Sequence, residues 1–175
     1  FERTLVEKQS HLLCIKGYSG VGKTAIVEQL AQPGLTNKAN FIRGKCEQFQ
    51  RDGLFGAILE ALGELAEQLL QENAAQLAHW QQCLQQAAGD DAYLLAAFMP
   101  QWLPITGPAQ NSDAADYQDT RFSKLLIRLF KVFAQQQRPV VLFLDDMQWA
   151  DTASLNLLEE LLTDKQIDNL LVLLA

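Results

Sequence analysis

The chain has 175 residues, 49% of them apolar and 20% charged, with a formal net charge of −7. That is one domain's worth of length with ample apolar content for a core, which excludes a disordered tail, a collagen-like chain and a coiled coil. No apolar run is long enough to span a membrane and the N-terminal stretch lacks the layout of a signal peptide.

The charge is unevenly spread. Residues 1–53 carry eight basic and five acidic groups, whereas residues 54–120 carry nine acidic groups and neither Lys nor Arg. Such a middle third repels a phosphate backbone, so nucleic acid is not expected as a partner. Its plain reading is a solvated acidic helical surface. Three sparse cysteines, Cys14, Cys46 and Cys83, fit a reducing cytoplasm, and neither His11 nor His79 stands at zinc spacing from them. Cys14, inside an apolar run, reads as a small core residue. The chain lacks an opening Met and stops on LLVLLA, so it reads as a piece of a longer protein.

The elements follow in order. Residues 11–16 (HLLCIK) predict a short buried strand meeting a Gly-rich turn, and residues 23–31 (KTAIVEQLA) a helix ended by Pro33-Gly34. Residues 40–45 (NFIRGK) predict a second strand. Leu54, Ile58, Leu62, Leu65 and Leu69 recur at helical spacing and predict an amphipathic helix to about Glu72. A Gln- and Ala-rich helix over 74–88 is broken by Gly89-Asp90-Asp91. Residues 92–103 predict another short helix, Pro104 to Asp113 a loop, and Asp116 to Gln136 a long helix. Pro139 precedes VVLFLDD, a buried strand of the parallel type. Asp151 caps a helix through about Leu162, and Leu170 to Ala175 form a last buried strand. The order predicts an α/β domain with a mostly parallel sheet and a helical insertion: core 1–53 and 138–175, insertion about 54–137. The twenty Gln are dispersed over helices, and no internal repeat is visible.

Two motifs carry chemistry. Gly17-Tyr18-Ser19-Gly20-Val21-Gly22-Lys23-Thr24 fits G-x-x-x-x-G-K-[ST] without mismatch, between a strand and a helix. Its glycines let the backbone wrap phosphate oxygens, and the next helix, beginning Lys23-Thr24-Ala25, offers its positive end. Lys23 can reach the β- and γ-phosphates, and the Thr24 hydroxyl can ligate Mg²⁺. The second motif is Val140 to Leu144 followed by Asp145 and Asp146, the Walker B pattern. Two carboxylates ending a buried strand call for a compensating cation. Asp145 is assigned to Mg²⁺ and Asp146 to orienting the attacking water, the alternative being that Asp146 begins a loop. No guanine-reading N-K-x-D motif follows a late strand, which favours ATP.

Asp145-Asp146-Met147-Gln148-Trp149-Ala150-Asp151 resembles the DDLQWAD signature of the STAND class of P-loop NTPases. With GYSGVGKT, the block Gly44–Ile58, the block Arg138–Leu162 and Arg121-Phe122, the chain is similar to the central ATPase domain of bacterial multidomain kinase–ATPase–sensor proteins. The resemblance implies a three-layer P-loop ATPase (ASCE, AAA-like) that binds ATP and hydrolyses it slowly as a regulatory switch, in the cytoplasm. It implies a final strand flanking the first and a helical lid beyond residue 175. Gln148 is a candidate γ-phosphate sensor. Trp149 either packs the strand-to-helix turn or couples nucleotide state to a partner. Gln50 and Arg51, in the loop after the second strand, either face the site or bind Asp and Glu nearby. Arg121 is a similar candidate; with Lys124, Arg128 and Lys131 it more simply forms a solvated face. The acidic insertion is expected to dock other domains or a partner, with a nucleotide-dependent oligomer possible, and no membrane contact.

Overall fold

The structure is a computed structural model and describes residues 9–18, 20–30, 39–48, 54–107, 119–134 and 139–175. Four strands, β1 (His11–Cys14), β2 (Asn40–Lys45), β3 (Val140–Asp145) and β4 (Leu170–Leu174), form one sheet in the order β1-β4-β3-β2. All three pairings are parallel, in registers such as Lys45 opposite Asp145 and Leu144 opposite Leu174. The helices are α1 (Lys23–Leu30), α2 (Gly56–Leu70), α3 (Ala74–Ala88), α4 (Ala92–Phe98), α5 (Leu103–Thr106), α6 (Asp119–Ala134) and α7 (Thr152–Thr163).

The two-residue period of the strands divides the core between two faces. Val140, Leu142, Leu144, Leu170 and Val172 join the larger cluster with Ile42 and residues of α2, α3, α6 and α7. Val141, Phe143, Leu171 and Leu173 point the other way, toward Val27 of α1. The helices between β2 and β3 thus share their core with the sheet. Ile58, Leu62 and Leu65, three of the residues that gave α2 its period, are fully buried. Gly44 lets α2 press directly on β2: a Cβ there would lie 1.7 Å from the carbonyl oxygen of Ala57. Trp102 is buried between the helices and donates its indole N–H to the Leu62 carbonyl at 3.1 Å.

Several sequence expectations need correction. Among the described residues β1 lies at the edge of the sheet, paired with β4, and Leu12, Leu13 and Cys14 are exposed rather than core. An apolar run reports only that a strand is apolar, and an edge position leaves it open. Residues 92–103 break at Met99-Pro100, and Pro104 lies in the first turn of α5, where a missing N–H costs nothing, rather than in a loop. Gly107, at φ 79°, ends that turn. Pro33-Gly34 and residues 108–118 lie outside the described residues. Gln81 and Gln85 of α3 donate to the Pro104 and Thr106 carbonyls, so part of the Gln-rich helix holds α5 in place.

Candidate nucleotide site

The Gly17–Thr24 loop and the end of β3 meet at the carboxyl edge of the sheet, with β4 between their strands. Gly20 (φ 79°) and Gly22 (φ 92°) take left-handed backbone that a side chain would strain, and a Cβ on either would find open space. Backbone conformation, rather than lack of space for a side chain, is what calls for glycine at these two positions. Lys23 folds back over it, donating to the carbonyls of Gly17 at 3.1 Å and Tyr18 at 3.4 Å. Tyr18 (91% exposed) and Val21 point to solvent, and Ala25 is exposed in the first turn of α1. Ser19 lies outside the described residues, as do Gln50 and Arg51.

The Thr24 hydroxyl donates to Asp145 Oδ2 at 2.8 Å, and Asp145 Oδ1 accepts the Asp146 N–H at 2.9 Å. Two residues 121 positions apart thereby present a hydroxyl and a carboxylate oxygen side by side. Both are hard oxygen donors, the set that suits Mg²⁺, which takes few protein ligands. Asp146 occupies left-handed backbone (φ 55°, ψ 43°), which turns its side chain out of the strand direction. Its Oδ2 lies 3.3 Å from Lys45 Nζ, and its Oδ1 accepts from Gln148 Nε2 at 3.0 Å. Trp149 ends the short 3₁₀ turn Met147–Trp149 and is 43% exposed.

Asp151 caps α7, accepting from the Ser154 N–H at 2.8 Å and from its hydroxyl at 2.6 Å, and it also accepts the Phe55 N–H at 3.3 Å. Cys46 is buried beside these acids. Burial, then the charges of Asp151, Asp146, Asp145 and Glu60, push its thiol up to about 11. A cleft of about 630 Å³ opens next to Thr24 and Asp145, walled by β2 (Arg43, Lys45) and α2 (Glu60, Glu64, Glu67). Lys45 and Glu60 were not singled out from the sequence. The available signal was a charge ending a strand next to the one that ends in Asp145.

Arg121 and Arg128 do not form a free solvated face: both donate to the carboxylate of Asp91, and Arg121 lies over the Tyr93 ring. Lys131 pairs with Asp164 at 2.7 Å. Among the described residues, no cluster of three or more His, Cys, Asp or Glu is arranged to hold a metal ion, and no helix is long and apolar enough to cross a membrane.

The family model for the AAA ATPase domain matches residues 2–173. The chain belongs to the AAA ATPase domain family. The all-parallel sheet with helices on both faces is the α/β P-loop NTPase fold of that family. This AAA domain is similar to part of hybrid signal transduction histidine kinase G of Dictyostelium discoideum, 32% identical over 156 residues. The matched stretch covers 86% of the chain and 4% of that relative's length. No solved structure matches the domain.

Proposed function

We propose that this AAA domain is the ATP-binding, slowly hydrolysing switch module of a larger cytoplasmic signalling protein of the STAND class. The observation that carries the reading is the 2.8 Å contact between the Thr24 hydroxyl and Asp145. It places the last residue of a phosphate-loop sequence against the first acid of a Walker B sequence. Membership of the family and the likeness to a stretch of a signal-transduction histidine kinase support it.

In this reading the Gly17–Thr24 backbone and the start of α1 cradle the phosphates. The Lys23 ammonium leaves the carbonyls of Gly17 and Tyr18 for phosphate oxygens. Thr24 and Asp145 would hold Mg²⁺, which when bound would supply positive charge beside the phosphates. Asp146 accepts a hydrogen bond from the attacking water, and Gln148, joined to Asp146, reports the γ-phosphate. Turnover is slow where no arginine finger reaches the γ-phosphate. The chain acts as one domain, core 1–53 and 138–175 with a helical insertion over 54–137 whose acidic surface docks other domains or a partner.

Titration with a fluorescent ATP analogue and Mg²⁺ tests this. Wild type is expected to bind, Lys23→Ala and Asp145→Asn to lose binding at least tenfold, and Asp146→Ala to bind without releasing phosphate. No binding by wild type overturns the proposal. Binding without turnover leaves a nucleotide scaffold in place of a switch.

A further inference from the structure

Among the described residues, the outer edge of β2 is closed by side chains rather than by another strand. Glu60 Oε2 accepts the Lys45 N–H at 2.8 Å, and Glu64 Oε2 accepts the Arg43 N–H at 2.8 Å. Gln68 Nε2 donates to the Phe41 carbonyl at 2.7 Å. The three side chains stand four residues apart on α2 and their three partners two apart on β2, running in opposite directions. Four helical residues rise about 6 Å and two strand residues about 6.6 Å, so the two series stay in step over three rungs. Gly44 makes the approach close enough for such short side chains to reach.

The rung nearest the nucleotide site has a second consequence. Lys45 is the last residue of β2, opposite Asp145, and its ammonium meets the Asp146 carboxylate at 3.3 Å. The stem of an exposed lysine holds its ammonium in place only as firmly as its own backbone is held. At the point where the strand ends, that hold comes from the sheet bond of the Cys46 N–H to the Asp145 carbonyl on one side and from Glu60 on the other.

We infer that Glu60 is a positioning residue: by fixing the Lys45 backbone it fixes the ammonium that aligns Asp146 for its role at the site. The inference rests on the proposed role of Asp146 in hydrolysis. Groups that hold a reacting side chain in place from one contact further out keep the site in its productive geometry. Glu60 lines the same cleft as Thr24 and Asp145, but its carboxylate is engaged by the Lys45 N–H, so its effect passes through Lys45.

Two readouts on the full chain test this. The first uses nucleotide-free protein: acylation of the Lys45 amine by an activated ester, followed by mass spectrometry. Asp146→Asn and Glu60→Ala are both expected to speed it severalfold. Glu60→Gln, which keeps an acceptor oxygen but no charge, is expected to leave it at the wild-type rate. Equal speeding by Glu60→Gln and Glu60→Ala would mean that only the charge matters, and would overturn the inference. The second readout is ATP turnover. Glu60→Ala should lower kcat severalfold with nucleotide affinity unchanged, Glu60→Gln should restore it, and Glu60→Ala should add nothing to Lys45→Met. Additive losses, or a rise in kcat, defeat the positioning role. A wild type that does not hydrolyse ATP defeats the proposed function instead, and the acylation rates still decide whether Glu60 holds Lys45.

Discussion

The hydroxyl of Thr24 donates to Asp145 Oδ2 at 2.8 Å, across a sheet in which β4 separates β1, which leads into the Thr24 loop, from β3, which carries Asp145. The contact is exposed, and a single hydrogen bond of this kind contributes about 1 kcal/mol to folding. Thr24→Val is therefore expected to fold with a urea midpoint close to wild type. If the two oxygens hold Mg²⁺, the same change should weaken Mg²⁺-dependent ATP binding at least tenfold, about 1.4 kcal/mol. Loss of binding in proportion to loss of stability would instead mark the contact as structural. Binding titration and urea unfolding of the same preparation separate the two.

Gly44 is expected to tolerate no side chain. An added Cβ would overlap the Ala57 carbonyl, a backbone atom in the middle of the packing between α2 and β2. Relief requires the helix to move off the strand, which also breaks the Glu60, Glu64 and Gln68 rungs. Gly44→Ala should cost about 3 kcal/mol, at the high end for overpacking. A variant with an unchanged thermal midpoint would show that the two elements can separate freely.

Much of the fold is legible in the sequence because periodicity is strong where burial is one-sided. β2 and α3 begin and end where Asn40, Lys45, Ala74 and Ala88 predict, since Gly and polar residues punctuate both. The cap of α7 by Asp151 was readable as well. Exposure of β1 was not, because strand order decides it and HLLC carries no sign of its place in the sheet. Nor was the fate of the charges on α6. Helical spacing shows that Arg121, Arg128 and Lys131 share a face, but their partners Asp91 and Asp164 come from distant segments. At the site, the motifs name Thr24 and Asp145. Lys45 enters only through the parallel register that sets it opposite Asp145.

Asp91 makes folding sensitive to acid. Burial alone would raise its carboxyl, but hydrogen bonds from Arg128 and Arg121 outweigh that and hold it below the ordinary 3.8. Asp164 is lowered too, chiefly by its hydrogen bond from Lys131. A depressed folded value means that the unfolded chain takes up the proton first as pH falls. The stabilisation is thus complete above the ordinary value and is lost as pH drops through the lower folded values. Asp91→Asn should cost about 2 kcal/mol at neutral pH, the scale of hydrogen bonds to charged groups. The gap between wild type and variant should close on acidification, and urea midpoints followed down through the carboxylate range will show whether it does.

The three cysteines should separate by reactivity. The Cys46 thiol is pushed up to about 11 by burial and by the charges of Asp151, Asp146, Asp145 and Glu60. Against an ordinary cysteine it holds about a hundredfold fewer thiolates at neutral pH, and the thiolate is the reactive form. Cys14 is exposed and Cys83 partly so. In native protein a thiol reagent should label Cys14 first, Cys83 next and Cys46 last, and unfolding should erase the order. Cys46 reacting as fast as Cys14 in folded protein would mean that the packing of β2 beside Met147 opens readily. Measured on Gly44→Ala, the same rates are expected to show Cys46 gaining most, because moving α2 off β2 uncovers Cys46, and burial is the main cause of its raised thiol.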